Sequence, residues 1–114
     1  RAVLRRGETR PGGTDLIRSG QLEIDLPGMR VRRGAELIQL TPTEFHLLAT
    51  LASEPGRVFT RTQLLNAIRG VMSESYERAI DAHVKNIRRK LESPVDATQY
   101  IQTVHGVGYR FSDA

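Results

Sequence analysis

The sequence predicts an α+β domain with an N-terminal antiparallel sheet, three helices and a C-terminal β-hairpin. Three observations predict it. Apolar residues recur every second position in Leu22, Ile24 and Leu26, the period of a half-buried strand. After Thr41 the spacing becomes helical, with two N-terminal capping signatures and a basic amphipathic segment. Alternation then returns on both sides of His105-Gly106-Val107-Gly108, the pattern of a hairpin. A chain of 114 residues fits one modest core. It has no cysteine, which excludes disulfides, thiolate metal sites and a cysteine nucleophile and fits a reducing, cytoplasmic home. Hydrophobic residues at 39% and charged residues at 26% are ordinary for a globular protein. No uncharged stretch, Phe45 to Ser53 among them, is long enough to span a bilayer.

Taken in order, RAVLRRG reads as the last turns of a helix and GETRPGGTD (7–15) as a linker. Residues 1–19 are thus expected to tether a domain spanning 20–112. Strands are expected from Gln21, around Val31 after the Pro27-Gly28 turn, and over Glu36–Leu40. Thr41 caps a helix with Pro42 at its first position and Glu44 closing a capping box. Phe45, Leu48, Leu51 and Ala52 form its apolar stripe, and Glu54-Pro55-Gly56 stops it. Val58 and Phe59 are extended. Thr60 and Gln63 open a second helix carrying Leu64, Leu65 and Ile68 and ending at Gly70. A loop precedes a third helix, about Glu77 to Glu92, and Tyr100–Phe111 forms the hairpin.

Charge is concentrated. The net charge is +4. Residues 78–90 hold Arg78, Lys85, Arg88, Arg89 and Lys90 against Asp81, a net +4; residues 1–18 carry +3, and the remainder is slightly acidic at −3. A polyanion is the partner this distribution suggests. On a wheel at about 100° per residue, Ile80, Val84, Ile87 and Leu91 share one stripe. Arg78, Ala82, Lys85 and Arg89 lie opposite, with Asn86 and Arg88 on the flanks and His83 at the edge. Long cations neutralise phosphates or donate to guanine, an amide pairs with adenine, and a small residue lets a backbone approach. A solvated amphipathic face would look similar. The order helix, short strand, helix, basic helix, hairpin shifts the balance, because it is the layout of a winged helix-turn-helix, whose later helix reads the major groove. His105 and Gly106 at the hairpin tip suit a minor groove. Alternatively, Gly106 and Gly108 serve only the turn, by supplying positive φ.

The motifs LTPTEFHLLATL (40–51), GRVFTRTQLLNAI (56–68), ERAIDAHVKNIRRKLE (77–92) and YIQTVHGVGYRF (100–111) resemble the effector domain of OmpR/PhoB-type two-component response regulators. RAVLRRG resembles the end of the receiver domain that precedes such a linker, so the chain reads as a piece of a longer protein. The resemblance implies transcription regulation by duplex DNA binding, as a dimer on tandem half-sites. Control would come from phosphorylation of the receiver by a sensor kinase. It implies phosphate contact by Arg78, groove-facing positions at Ala79, Ala82 and Asn86, and further contacts by Lys85, Arg88 and Arg89. It also implies an RNA-polymerase-contacting loop of Gly70, Val71, Met72, Ser73, Glu74, Ser75 and Tyr76. Family members often carry Trp-Gly where this chain has Arg69-Gly70, and Arg at the wing tip where it has His105.

Other readings carry less. His46, His83 and His105 fall in three different elements without ligand spacing, so no metal is expected. His83 is better placed for a phosphate. No phosphate loop or nucleophile elbow is present, so neither catalysis nor a cofactor is expected. Tyr76 and Tyr109 could stack single-stranded bases, but Tyr109 alternates with Arg110 and is expected to be buried against the third helix. The competing function is a winged helix that offers its basic face to an acidic protein. A double-stranded RNA reader is disfavoured by the narrow A-form major groove.

Overall fold

A computed structural model describes residues 16–68, 78–91 and 99–112. The chain divides into two units, residues 1–37 and 38–114. In the first, strands β1 (Leu16–Ser19), β2 (Leu22–Asp25) and β3 (Arg30–Arg33) run antiparallel, and β4 (Glu36–Ile38) completes a sheet ordered β1-β2-β3-β4. Ile24 lies opposite Ile17 on one side and Val31 on the other. Leu22, Ile24 and Val31 are buried, the alternation expected of a sheet with one wet face. Arg33 is buried as well and bonds Glu36 Oε1 at 2.6 Å across the β3–β4 turn.

Strand β1 corrects the expected boundary at residue 20. Pairing starts at Leu16, inside the segment read as a tether. Its sequence, LIRS, shows no apolar alternation because Leu16 and Ile17 are adjacent, and neither is fully buried. The strand exists because β2 offers it a partner, and a local pattern does not carry that information.

In the second unit the local signals are realised. In α1 (Pro42–Ala52) the Glu44 amide donates to Thr41 Oγ1 at 3.1 Å and the Thr41 amide donates to Glu44 Oε1 at 3.0 Å. Two helix-end donors are thereby satisfied. Phe45, Leu47, Leu48, Leu51 and Ala52 are buried; Leu47 widens the expected stripe. After β5 (Val58–Thr60), the same reciprocal box, Thr60 with Gln63 at 2.9 and 3.1 Å, opens α2 (Arg61–Ile68). The expected helix end at Gly70 lies outside the described residues. Helix α3 (Arg78–Leu91) buries Ile80, Val84, Ile87 and Leu91 to at most 3% exposure, each worth about 1.5–3 kcal/mol of burial.

Strands β6 (Ile101–Val104) and β7 (Gly108–Phe111) form the hairpin, and β7 also pairs with β5, giving a sheet ordered β5-β7-β6. Tyr100 stacks on the fully buried Phe111. The two hairpin glycines serve different needs. Gly106 has φ of 79° at the tip, as the turn requires. Gly108 does not belong to the positive-φ set. A Cβ there would lie 1.9 Å from the Phe59 carbonyl oxygen, so glycine is needed for the close approach of β7 to β5.

Candidate nucleic-acid interface

Helix α3 presents four sides, and its neighbours decide what each can do. The apolar stripe faces the core. One flank faces the hairpin and α2: Asp81 Oδ1 accepts from Tyr109 Oη at 2.6 Å and from Arg61 Nε at 2.8 Å. On the same flank Arg88 donates from Nε and Nη2 to the Ile101 carbonyl at 3.1 and 3.0 Å, and from Nη2 to Thr103 Oγ1 at 2.6 Å. Burial would raise the Asp81 pKa, but the bonds from Tyr109 and Arg61 outweigh it and hold the carboxylate below its ordinary value. Burial and the bond to Asp81 push the Tyr109 phenol up. At any ordinary pH this flank is therefore a charged aspartate held by a neutral phenol and a guanidinium.

The other flank faces α1. Lys90 Nζ donates to Glu44 Oε1 at 2.6 Å, the same oxygen that closes the α1 capping box. Burial acts to raise the Glu44 pKa. The Lys90 bond, the Thr41 amide and the nearby Lys90 charge outweigh it and lower it. The fourth side is open: Arg78, Ala82, Lys85 and Arg89 are exposed, and Asn86 is partly so. Asp81, Lys85, Arg88 and Arg89 line a shallow depression of about 290 Å³ where this side meets the hairpin flank. Basic residues fill the last turn of α3 and Asp81 sits in its first, which suits the helix dipole.

This geometry sorts the residues expected from the sequence. Arg78, Ala82, Lys85, Asn86 and Arg89 come together on one surface. Ala79 does not: it is only 5% exposed, which corrects its expected place facing a groove, because the turn that carries it packs inward. His83 is half-buried and lies two turns before Lys90, on the flank that faces Glu44 of α1 and not on the open face. Arg88 commits two of its nitrogens to the hairpin. His105 and Gly106 are exposed at the hairpin tip, next to a half-exposed Val107. Tyr109 is buried against α3 as expected. Arg61 and Thr103 carry no local signal, because their partners lie 20 and 15 residues away along the chain. The loop Gly70–Tyr76 lies outside the described residues. Among the described residues no cluster of three His, Asp or Glu side chains could hold a metal ion, and no described helix is long and apolar enough to cross a membrane.

Residues 34–111 match the family model described as "Transcriptional regulatory protein, C terminal". The chain belongs to this family. It is 42% identical over 110 residues to the DNA-binding response regulator MtrA of Mycolicibacterium smegmatis, a match covering 96% of this chain and 47% of MtrA. The chain thus spans about half the length of the curated relatives it matches. Among solved structures, the Thermotoga maritima OmpR/PhoB homolog DrrB superposes with a TM-score of 0.75 at 34% identity, over 86% of this chain and 44% of DrrB. The AdeR DNA-binding domain, solved in complex with an intercistronic region, gives 0.73 at 35% identity over 85% of this chain and 98% of that domain. The fold is therefore the winged helix of OmpR/PhoB-type effector domains, with α3 as its third helix and the β6–β7 hairpin as its wing.

Proposed function

We propose that this domain binds duplex DNA sequence-specifically for transcriptional control, with α3 in a major groove and the wing tip at the neighbouring minor groove. The observation that carries this is the open face of α3. Three long cations, Arg78, Lys85 and Arg89, surround Ala82, and Asn86 lies beside them. Arg78 serves as a phosphate anchor and Asn86 as the base reader. The AdeR domain in complex with DNA supports the assignment through its shared fold. The lengths of the relatives support a place as the output half of a two-component response regulator. A phosphorylated receiver, charged by a sensor kinase, would then drive dimerisation on tandem half-sites. In this reading the loop at 70–76 meets RNA polymerase, the protein works in the cytoplasm, and it acts by binding, with no catalysis and no cofactor.

The test is duplex affinity measured against salt. The charge of residues 78–90 counted from sequence predicts about five neutralised phosphates and a slope of log K against log salt of about −4 to −5. The structure lowers the share of the helix. Lys90 is held by Glu44 and Arg88 by the wing, which leaves three cations on the open face and a contribution of about −3. A slope near zero would overturn DNA binding and favour an acidic protein as the partner of this face.

A further inference from the structure

We propose that Arg88 is a positioning residue: it locks the wing to the recognition helix and so sets the distance between the two elements that meet DNA. The inference rests on the DNA-binding reading of α3 but adds a role that charge and exposure alone do not assign. Strand β6 is the outer strand of the β5-β7-β6 sheet, so one side of it has no strand neighbour. Arg88 takes the place of that neighbour. Its fork grips the Ile101 carbonyl with two nitrogens and reaches Thr103 Oγ1, while its guanidinium carbon lies 5.6 Å from the centre of the Tyr109 ring. Seven residues earlier on the same flank, Asp81 holds the Tyr109 hydroxyl of β7. Two positions two turns apart on α3 thus hydrogen-bond the two strands of the wing, one strand each.

These side-chain bonds matter because the backbone leaves the angle open. The wing is attached to the rest of its sheet by three residue pairs, Val58 with Arg110, Phe59 with Tyr109 and Thr60 with Gly108. Such a short ladder fixes strand direction but lets the ribbon twist. The core stripe fixes α3 from the opposite side. The relation between α3 and the wing tip is therefore set by the flank bonds. A planar guanidinium suits this task because both of its donors are oriented together, which an ammonium cannot reproduce. Two-groove binding depends on this spacing: when the second element no longer meets its site, its effective concentration there collapses.

The experiment uses the whole 114-residue chain with two variants, Arg88→Met and the charge-keeping Arg88→Lys, which loses the fork. Residual dipolar couplings of backbone amides in α3 and in residues 101–111 are recorded without DNA. Affinity is measured on a duplex recovered by selection from a random-sequence pool. It is measured again on the same duplex shortened to end at the major-groove contact. The expected result is unchanged couplings within α3, a reoriented wing in both variants, and an affinity loss of about tenfold on the full duplex but under about twofold on the short one. Equal losses on the two duplexes would overturn the proposal, because Arg88 would then act by touching DNA on the α3 side. An unmoved wing would overturn it too. Should Arg88→Met fail to fold, Arg88→Lys decides by the same readouts. A parent chain that binds no duplex would sink the DNA-binding reading, while the couplings would still decide whether Arg88 positions the wing.

Discussion

Ala82→Glu is expected to abolish duplex binding while leaving the fold intact. Ala82 is exposed at the middle of the open face of α3, between Arg78 and Lys85 on the helix surface. A carboxylate there would be brought against phosphates and acceptor edges in the groove. Like charges forced together at an interface cost several kcal/mol, and about 3 kcal/mol is already a hundredfold loss of affinity. Stability should hardly change. The site is solvent-facing, glutamate is a good helix former, and Lys85 and Asn86 stand one turn on. A surface substitution of this kind stays within about 0.5 kcal/mol. Fluorescence anisotropy with a labelled duplex and a thermal melt on the same sample read both quantities. Binding equal to the parent would show that the open face of α3 is not the contact surface.

Gly108→Ala is expected to be the most destabilising single-methyl change in the wing. The added Cβ would sit 1.9 Å from the Phe59 carbonyl oxygen and 2.9 Å from Thr60 Cα. Both are backbone atoms of β5, so no side-chain rotation relieves the clash and β7 must move away from β5. Overpacking a tight site costs about 1–3 kcal/mol; with only backbone to displace, about 3 kcal/mol is expected, a fall in melting temperature of about 10 °C or more. Gly106→Ala is the matched control. Nothing lies within 4 Å of its Cβ position, but φ is 79°, so the cost is the left-handed strain of about 1–2 kcal/mol. Thermal melts of the two variants should therefore rank Gly108→Ala well below Gly106→Ala. The reverse order would mean that β7 is not seated on β5 as described.

These two glycines also show where sequence reasoning stops. The alternative in which both serve only the turn fits the positive φ of Gly106 but not Gly108, which is needed for close approach to β5. The signals that were legible are local ones: two capping boxes, the helical stripe of α3 and the alternation around the wing tip. Each depends on residues three or four apart, or on simple alternation, and each is present in the structure. Illegible were the features fixed by a pairing or packing partner and not by a local repeat. Strand β1 exists because β2 pairs with it. Gly108 is required by Phe59, and Glu44 closes a cap and also holds Lys90, 46 residues on. The helical wheel separated the core side of α3 from the open side correctly. It could not assign the flanks, because what lies beside a helix is set by tertiary neighbours. The wheel leaves Arg88 on a flank and His83 at an edge, and the resemblance places Ala79 toward the groove; in the structure Ala79 is buried, His83 lies on the flank toward α1 and Arg88 is bonded to the wing.

Amide chemical-shift mapping during titration with duplex DNA tests the central claim most directly. The account predicts shifts that grow with DNA and cluster on Arg78, Ala82, Lys85, Asn86 and Arg89 and on His105, Gly106 and Val107, with the strands β1 to β4 left unchanged. Shifts centred on those strands, or spread evenly over the chain with α3 and the wing tip no more affected than the rest, would contradict it.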